Sequence, residues 1–220
     1  MPHTFAAVLF DLDGVLIDSQ AAIRRRWEWW AEQHNIPFED VEAVFHGRPM
    51  AEVVEAVAPH LDVETEKERM ARFTEDDAAG LTAFEDAASL LHRLPDERWT
   101  IATSGRRRTA TTRMRQTNLP IPDTLVTADD VAHGKPAPDP YRLAAKRLGV
   151  APARCLAIED APAGIRSAQR AGATVVAIAS TSSPDALTAA TAVLPHLRAL
   201  QIDAQPDGTL AVQWSDAERA

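Results

Sequence analysis

Asp11 and Asp13 stand two residues apart at the end of the apolar run AAVLF, with Gly14 directly after them. Carboxylates that close repel each other unless something positive lies between them, such as a metal ion or a phosphoryl group in transfer. Other reactive residues follow similar runs: Thr103-Ser104-Gly105 after WTIA, Lys135 in HGKPAPDPY after DTLVTA, and Glu159-Asp160 after CLAI. Together they form the set that phosphoryl transfer through an aspartyl-phosphate requires. A carboxylate nucleophile splits one hard hydrolysis into two easier steps. Its approach to a phosphate dianion is electrostatically opposed, so a divalent cation has to bridge the two. Hard oxygen ligands suit Mg²⁺, with Asp11 and Asp160 as the direct pair and Glu159 acting through water. Lys135 and the hydroxyl and backbone N–H groups of Thr103–Gly105 would hold the remaining charge on the phosphoryl oxygens. Asp13 is left as general acid for the leaving alkoxide and then base for the attacking water.

These residues converge only if the runs before them are neighbouring strands. Apolar runs at 6–10, 99–103, 123–128, 155–159 and 174–179 alternate with segments of helical character at 86–94, 107–118, 139–148 and 163–171. Several runs are continuous rather than alternating, which suits parallel strands covered on both faces. The pattern predicts an α/β fold, a doubly wound parallel sheet whose ligand site lies beyond the carboxyl ends of the strands. In the 139–148 segment, Asp139 is the expected N-cap, Pro140 the first helical residue and Gly149 the close.

From Asp18 to about Thr82 there is no convincing strand, only helical segments at 19–34, 50–58 and 64–79. Asn35 and Pro37 end the first of them, Asn35 as a left-handed cap. The block is too long for an ordinary crossover. Residues 18–82 therefore read as a small helical cap inserted into a core made of 1–17 and 83–220. In the cap, Ile23, Trp27, Trp30 and His34 fall at helical spacing, which predicts core packing. Arg48, in the tight loop HGRP, is a candidate for reaching substrate hydroxyls. Alternation on both sides of Pro206-Asp207-Gly208 predicts a C-terminal hairpin over 199–214.

Composition narrows the class of function. The 220 residues include 45% hydrophobic and 25% charged side chains, an ordinary globular balance. The net charge of -9 argues against a nucleic-acid binder. Attraction for an anionic ligand must therefore come from local groups. The single Cys155 excludes an internal disulfide framework. The opening MPHTF has no basic n-region, and no apolar stretch approaches a bilayer span, so a cytoplasmic protein without a membrane partner is expected.

In order along the chain, DLDGVLIDS, ATSG, GKPAPDPY and IEDAPAGI match the four motifs of the haloacid dehalogenase-like phosphatases, and the helical insert is similar to that family's small cap. The stretches WTIATSG, TADDVAHGKPAPDPY and EDAPAGIRSAQRAG resemble its branch of sugar phosphatases, 2-deoxyglucose-6-phosphatases and glycerol-3-phosphatases. The resemblance implies a Rossmann-like core, Asp11 as nucleophile, Asp13 as acid and base, and Thr103, Ser104 and Lys135 as phosphate binders. It also implies a Mg²⁺ site from Asp11, the Asp13 backbone carbonyl and Asp160, supported by Glu159. The expected partner is a small phosphorylated sugar or polyol, acted on by a monomer. The alternative is a sugar phosphomutase similar to β-phosphoglucomutase. Mutase relatives carry a cap histidine where this chain has Ile23 and a cap-loop arginine where it has Met50, and both departures count against that alternative. Dehalogenation needs neither a metal nor a second acid. A phosphorylation-switched receiver domain shares the acidic cluster, Ser/Thr and Lys, but resembles a single compact unit without an insert.

Overall fold

The computed structural model describes residues 2–45, 50–76 and 80–214. Residues up to Asp18 and from Thr82 onward form one compact unit, and Ser19–Leu81 form another. Along the chain come β1 (His3–Phe5), β2 (Ala7–Phe10) and β3 (Ile17–Asp18), then four helices, α1 (Gln20–His34), α2 (Phe38–Phe45), α3 (Met50–Val57) and α4 (Val63–Asp76). They are followed by β4 (Thr82–Ala83), α5 (Ala87–Arg93), β5 (Trp99–Ile101), α6 (Arg107–Gln116) and α7 (Asp139–Arg147). The remainder is β6 (Cys155–Glu159), α8 (Pro162–Ala171), β7 (Thr174–Ile178), β8 (Ala192–Leu194), β9 (Leu200–Ala204) and β10 (Leu210–Trp214).

The central sheet has the order β5-β2-β6-β7-β8 and all its pairings are parallel. Every residue of β2 and β6 is buried, which is why neither run alternates. Ala7 and Leu9 pack with Ala157 and Val175 against Tyr141, Ala144 and Ala145 of α7 and Ile165 and Ala168 of α8. On the other face, Phe10 meets Trp99 edge to face at 6.5 Å. Each Leu, Val, Ile or Phe side chain among these, removed from water, contributes about 1.5–3 kcal/mol. The register is what matters for the site: Phe10 lies beside Ile101 and Ile158, so the residues after all three leave the sheet at one edge.

The sequence-predicted strand 123–128 is not one. Prolines at 120 and 122 curl this stretch, with the Leu125 N–H donating to the Pro122 carbonyl, and only Val126 reaches the sheet, as a single bridge to Ala102. Asp139 is the first residue of α7 rather than its cap, which is Pro138. The apolar run 6–10 forms β2 from Ala7 onward, and the residues just before it form β1, which belongs to a separate antiparallel sheet in which β10 pairs with both β1 and the hairpin partner β9. The short strands β3, β4 and β8 and the helix α2 are not evident from periodicity.

In the helical unit, Asn35 takes the left-handed conformation after α1, at φ 54°. Trp27 and Trp30 are buried and meet edge to face at 5.4 Å, with Phe45 against Trp27. The buried Glu66 of α4 accepts from the Trp30 indole at 2.8 Å and lies 2.8 Å from His34 Nε2, tying α4 to α1. Among the described residues no helix is long and apolar enough to cross a membrane.

Candidate active site

The loop after β2 is closed by its own backbone. The Gly14 N–H donates to the Ile17 carbonyl at 2.8 Å, and the Leu16 and Ile17 N–H groups donate to the Leu12 carbonyl. Asp11 stays in register with β6 through its N–H on the Ile158 carbonyl, 2.9 Å away. This puts the Asp11 side chain beside Glu159, the last residue of β6, and Asp160 directly after it. One oxygen from each of the three carboxylates lies within 4.8 Å of the others, and all three residues are buried.

Lys135 is the cation among them. Its ammonium donates to Asp11 Oδ1 and to Glu159 Oε1, each at 2.6 Å. Tyr141, in the first turn of α7, donates its hydroxyl to the same Glu159 oxygen at 2.7 Å. The Asp160 N–H donates to Glu159 Oε2. Thr181, in the loop after β7, donates to Asp160 Oδ2, and its neighbour Ser180 donates to the Gly14 carbonyl. Two glycines make the approach possible. A Cβ on Gly14, where φ is +83°, would overlap the Asp160 carboxylate, and one on Gly164 would overlap that of Glu159.

The electrostatics follow from three buried acids sharing one ammonium. Burial pushes the Asp11 carboxyl up to about 7; Lys135 pulls it down and Glu159 pushes it up. Asp160 is raised well above the carboxylate range, by burial first and then by Asp11 and Glu159. Burial opposes the charge on Lys135, but Asp11 and Glu159 outweigh it and hold the ammonium above its ordinary range. The cluster is short of positive charge, and its donors are hard oxygens. Both facts fit a Mg²⁺ ion.

The other expected residues lie as follows. Thr103 is buried, its N–H donates to the Val126 carbonyl, and its hydroxyl accepts from the Gly105 N–H at 3.0 Å. Ser104 is exposed, and its N–H is the one in this loop without a protein acceptor among the described residues. The loop's amides were expected to act together, but those of Thr103 and Gly105 are already engaged. Asp13 is partly exposed and accepts a 2.6 Å hydrogen bond from the buried Arg113 of α6. Arg48 lies outside the described residues. Arg113, Tyr141, Ser180 and Thr181 were not anticipated. Only Tyr141 had a signal, as the last residue of HGKPAPDPY.

Residues 5–172 match the model of a hydrolase family, the haloacid dehalogenase-like hydrolases. The chain belongs to that family. A hexitol phosphatase A of Escherichia coli is 37% identical over 210 residues, covering 93% of this chain and 97% of that protein. A validoxylamine A 7'-phosphate phosphatase of Streptomyces hygroscopicus is also 37% identical, over 88% of this chain and 94% of its own length. Among solved structures, a hydrolase from Pseudomonas syringae superposes with a TM-score of 0.76 at 31% identity, over 88% of this chain and 94% of its own. The chain is thus a phosphatase on the haloacid dehalogenase-like fold.

Proposed function

We propose that this phosphatase hydrolyses the phosphomonoesters of small polyols and sugars, hexitol phosphates among them, through a phosphoaspartate on Asp11. The observation that carries the reading is the buried cluster of Asp11, Lys135, Glu159 and Asp160, with Asp13 two residues beyond the nucleophile. The Asp11 carboxylate attacks phosphorus, the P–O bond to the substrate breaks, and Asp13 gives its proton to the departing alkoxide. Water then attacks the phosphoaspartate, its proton returns to Asp13, and inorganic phosphate leaves. Lys135, the Thr103 hydroxyl and the Ser104 N–H bind the phosphoryl oxygens. Asp11, Asp160 and the Asp13 carbonyl would hold Mg²⁺ with Glu159 in support, and its charge would offset the repulsion between carboxylate and phosphate.

The polyol or sugar leaving group is supported by the likeness to a hexitol phosphatase across nearly the full chain. The helical unit is the cap that selects this group, with Arg48 as a candidate contact. The mutase alternative lacks support at Ile23 and Met50, where a mutase similar to β-phosphoglucomutase carries histidine and arginine. A lone, buried Cys155 suits a cytoplasmic setting.

The test is phosphate release from sorbitol 6-phosphate, fructose 1-phosphate, 2-deoxyglucose 6-phosphate and glycerol phosphate, each with Mg²⁺ or with EDTA. Metal-dependent release from one or more of them is expected. Silence across the panel, or conversion of β-glucose 1-phosphate to its isomer without release of phosphate, would overturn the reading.

A further inference from the structure

Each acid of the cluster has a hydrogen-bond donor beside it. Lys135 serves Asp11 and Glu159, and Thr181 serves Asp160. Asp13 is served from elsewhere, by Arg113, one hundred positions away in sequence on the helix that follows the Thr103–Gly105 loop. The Arg113 side chain is 7% exposed, and a guanidinium cannot shed its charge, so its burial requires a counter-charge. Asp13 supplies that charge, yet the contact is not the forked one that arginine usually makes with a carboxylate. Nη1 donates to Oδ1 at 2.6 Å, while Nε is buried without a partner. A fork would engage both carboxylate oxygens and withdraw the group from proton transfer. The single contact fixes the carboxylate and leaves Oδ2 without a protein hydrogen bond among the described residues.

We propose that Arg113 is a positioning residue for proton transfer: it anchors Asp13 by one oxygen so that the other receives the proton of the water that hydrolyses the phosphoaspartate. In that step the water oxygen bonds to phosphorus, the bond from phosphorus to the Asp11 oxygen breaks, one water proton passes to Asp13 Oδ2, and inorganic phosphate is released. The inference rests on the proposed roles of Asp11 and Asp13.

The test is rapid-mixing kinetics with p-nitrophenyl phosphate and Mg²⁺ on the wild type, R113Q, R113K, D13N and the double variant D13N/R113Q. The nitrophenolate departs without a proton, so the first half-reaction does not need Asp13, whereas hydrolysis of the phosphoaspartate does. R113Q and D13N should both release more nitrophenolate in the first turnover than the wild type. Both should then slow the steady rate, by roughly tenfold or more. R113K, which keeps the charge and a single donor, should fall between the wild type and R113Q. The double variant should be no slower than D13N alone.

A first turnover and steady rate that fall together in R113Q, or losses that multiply in the double variant, would make Arg113 a structural residue and overturn the inference. If R113Q does not fold, R113K decides: a partition shifted toward phosphoenzyme supports the inference, and the wild-type partition overturns it. If D13N itself keeps the wild-type partition, the role of Asp13 falls and the inference falls with it.

Discussion

Gly164 sits in the first turn of α8, where alanine would ordinarily strengthen the helix by about 1 kcal/mol. Here its Cβ would occupy the space of the Glu159 carboxylate, which Lys135 and Tyr141 hold in place. G164A is expected to lower stability by about 2 kcal/mol, or roughly 4–8 °C in melting temperature. Calorimetry checks this, and a variant at least as stable as the wild type would refute the close approach. Asp11→Asn should retain the circular dichroism and melting of the folded protein and abolish phosphate release, because an amide cannot serve as the nucleophile; near-normal turnover would sink that role. Asp11, Glu159 and Asp160 were legible in the sequence because each stands at the end of an apolar run that had to be a strand, and Lys135 because it lies in the stretch HGKPAPDPY beyond a run that reads as one. Arg113, Thr181 and Ser180 were not. Arg113 looks like any arginine of a polar helix, and the other two are small residues in a loop whose partners lie far away in sequence.

The helices that follow the Thr103–Gly105 loop and the Lys135 loop are braced to each other rather than only to the sheet. Asp130, at the end of a single 3₁₀ turn, accepts from the Thr127 N–H and hydroxyl, from Arg107 at the start of α6 and from Arg147 at the end of α7. Burial works against its charge, but Thr127 and Arg147 outweigh it and hold the carboxyl well below the ordinary range. A depressed folded value stabilises the protein above the unfolded value, near 4, and the stabilisation is lost as pH falls through the folded value. Asp130→Asn is therefore expected to lower stability at pH 7 by about 2 kcal/mol, or roughly 4–8 °C in melting temperature. That difference should persist down to about pH 5 and shrink below about pH 4. Melts of both proteins across this range check it, and a gap that widens in acid would contradict it. This brace holds the stretch predicted as a strand at 123–128, and Lys135 beyond it still reaches Asp11 and Glu159. The prolines at 120 and 122 made a turn, and the hydrogen bonds to Asp130 and Val126 fix the stretch without a strand. The continuous runs β2, β6 and β7 could be read from the sequence because burial on both faces keeps their interior positions apolar, with Glu159 and Thr174 only at strand ends. The short strands β1, β3, β4 and β8 could not, since their pairing is decided by distant partners.

With a net charge of -9, general screening by any cation and binding in one place make different demands on the protein. Mg²⁺ at one hundred times its dissociation constant should stabilise the fold by about 2.7 kcal/mol. Hydrogen exchange should show the added protection gathered at residues 11–17, 159–160 and 180–181. Slowing spread evenly over the chain would mean charge screening rather than a site. The same sheet order also sets a timetable for synthesis. β2, the strand that leads into Asp11, is the first of that sheet to be made, yet its neighbours β5 and β6 come much later in the chain, β6 about 150 residues on. At the usual pace of translation the run AAVLF waits roughly 10–30 s for its second flank. Throughout that interval the nascent chain presents an unpaired apolar strand, so its yield in a cell is expected to depend on what shelters that strand at the ribosome.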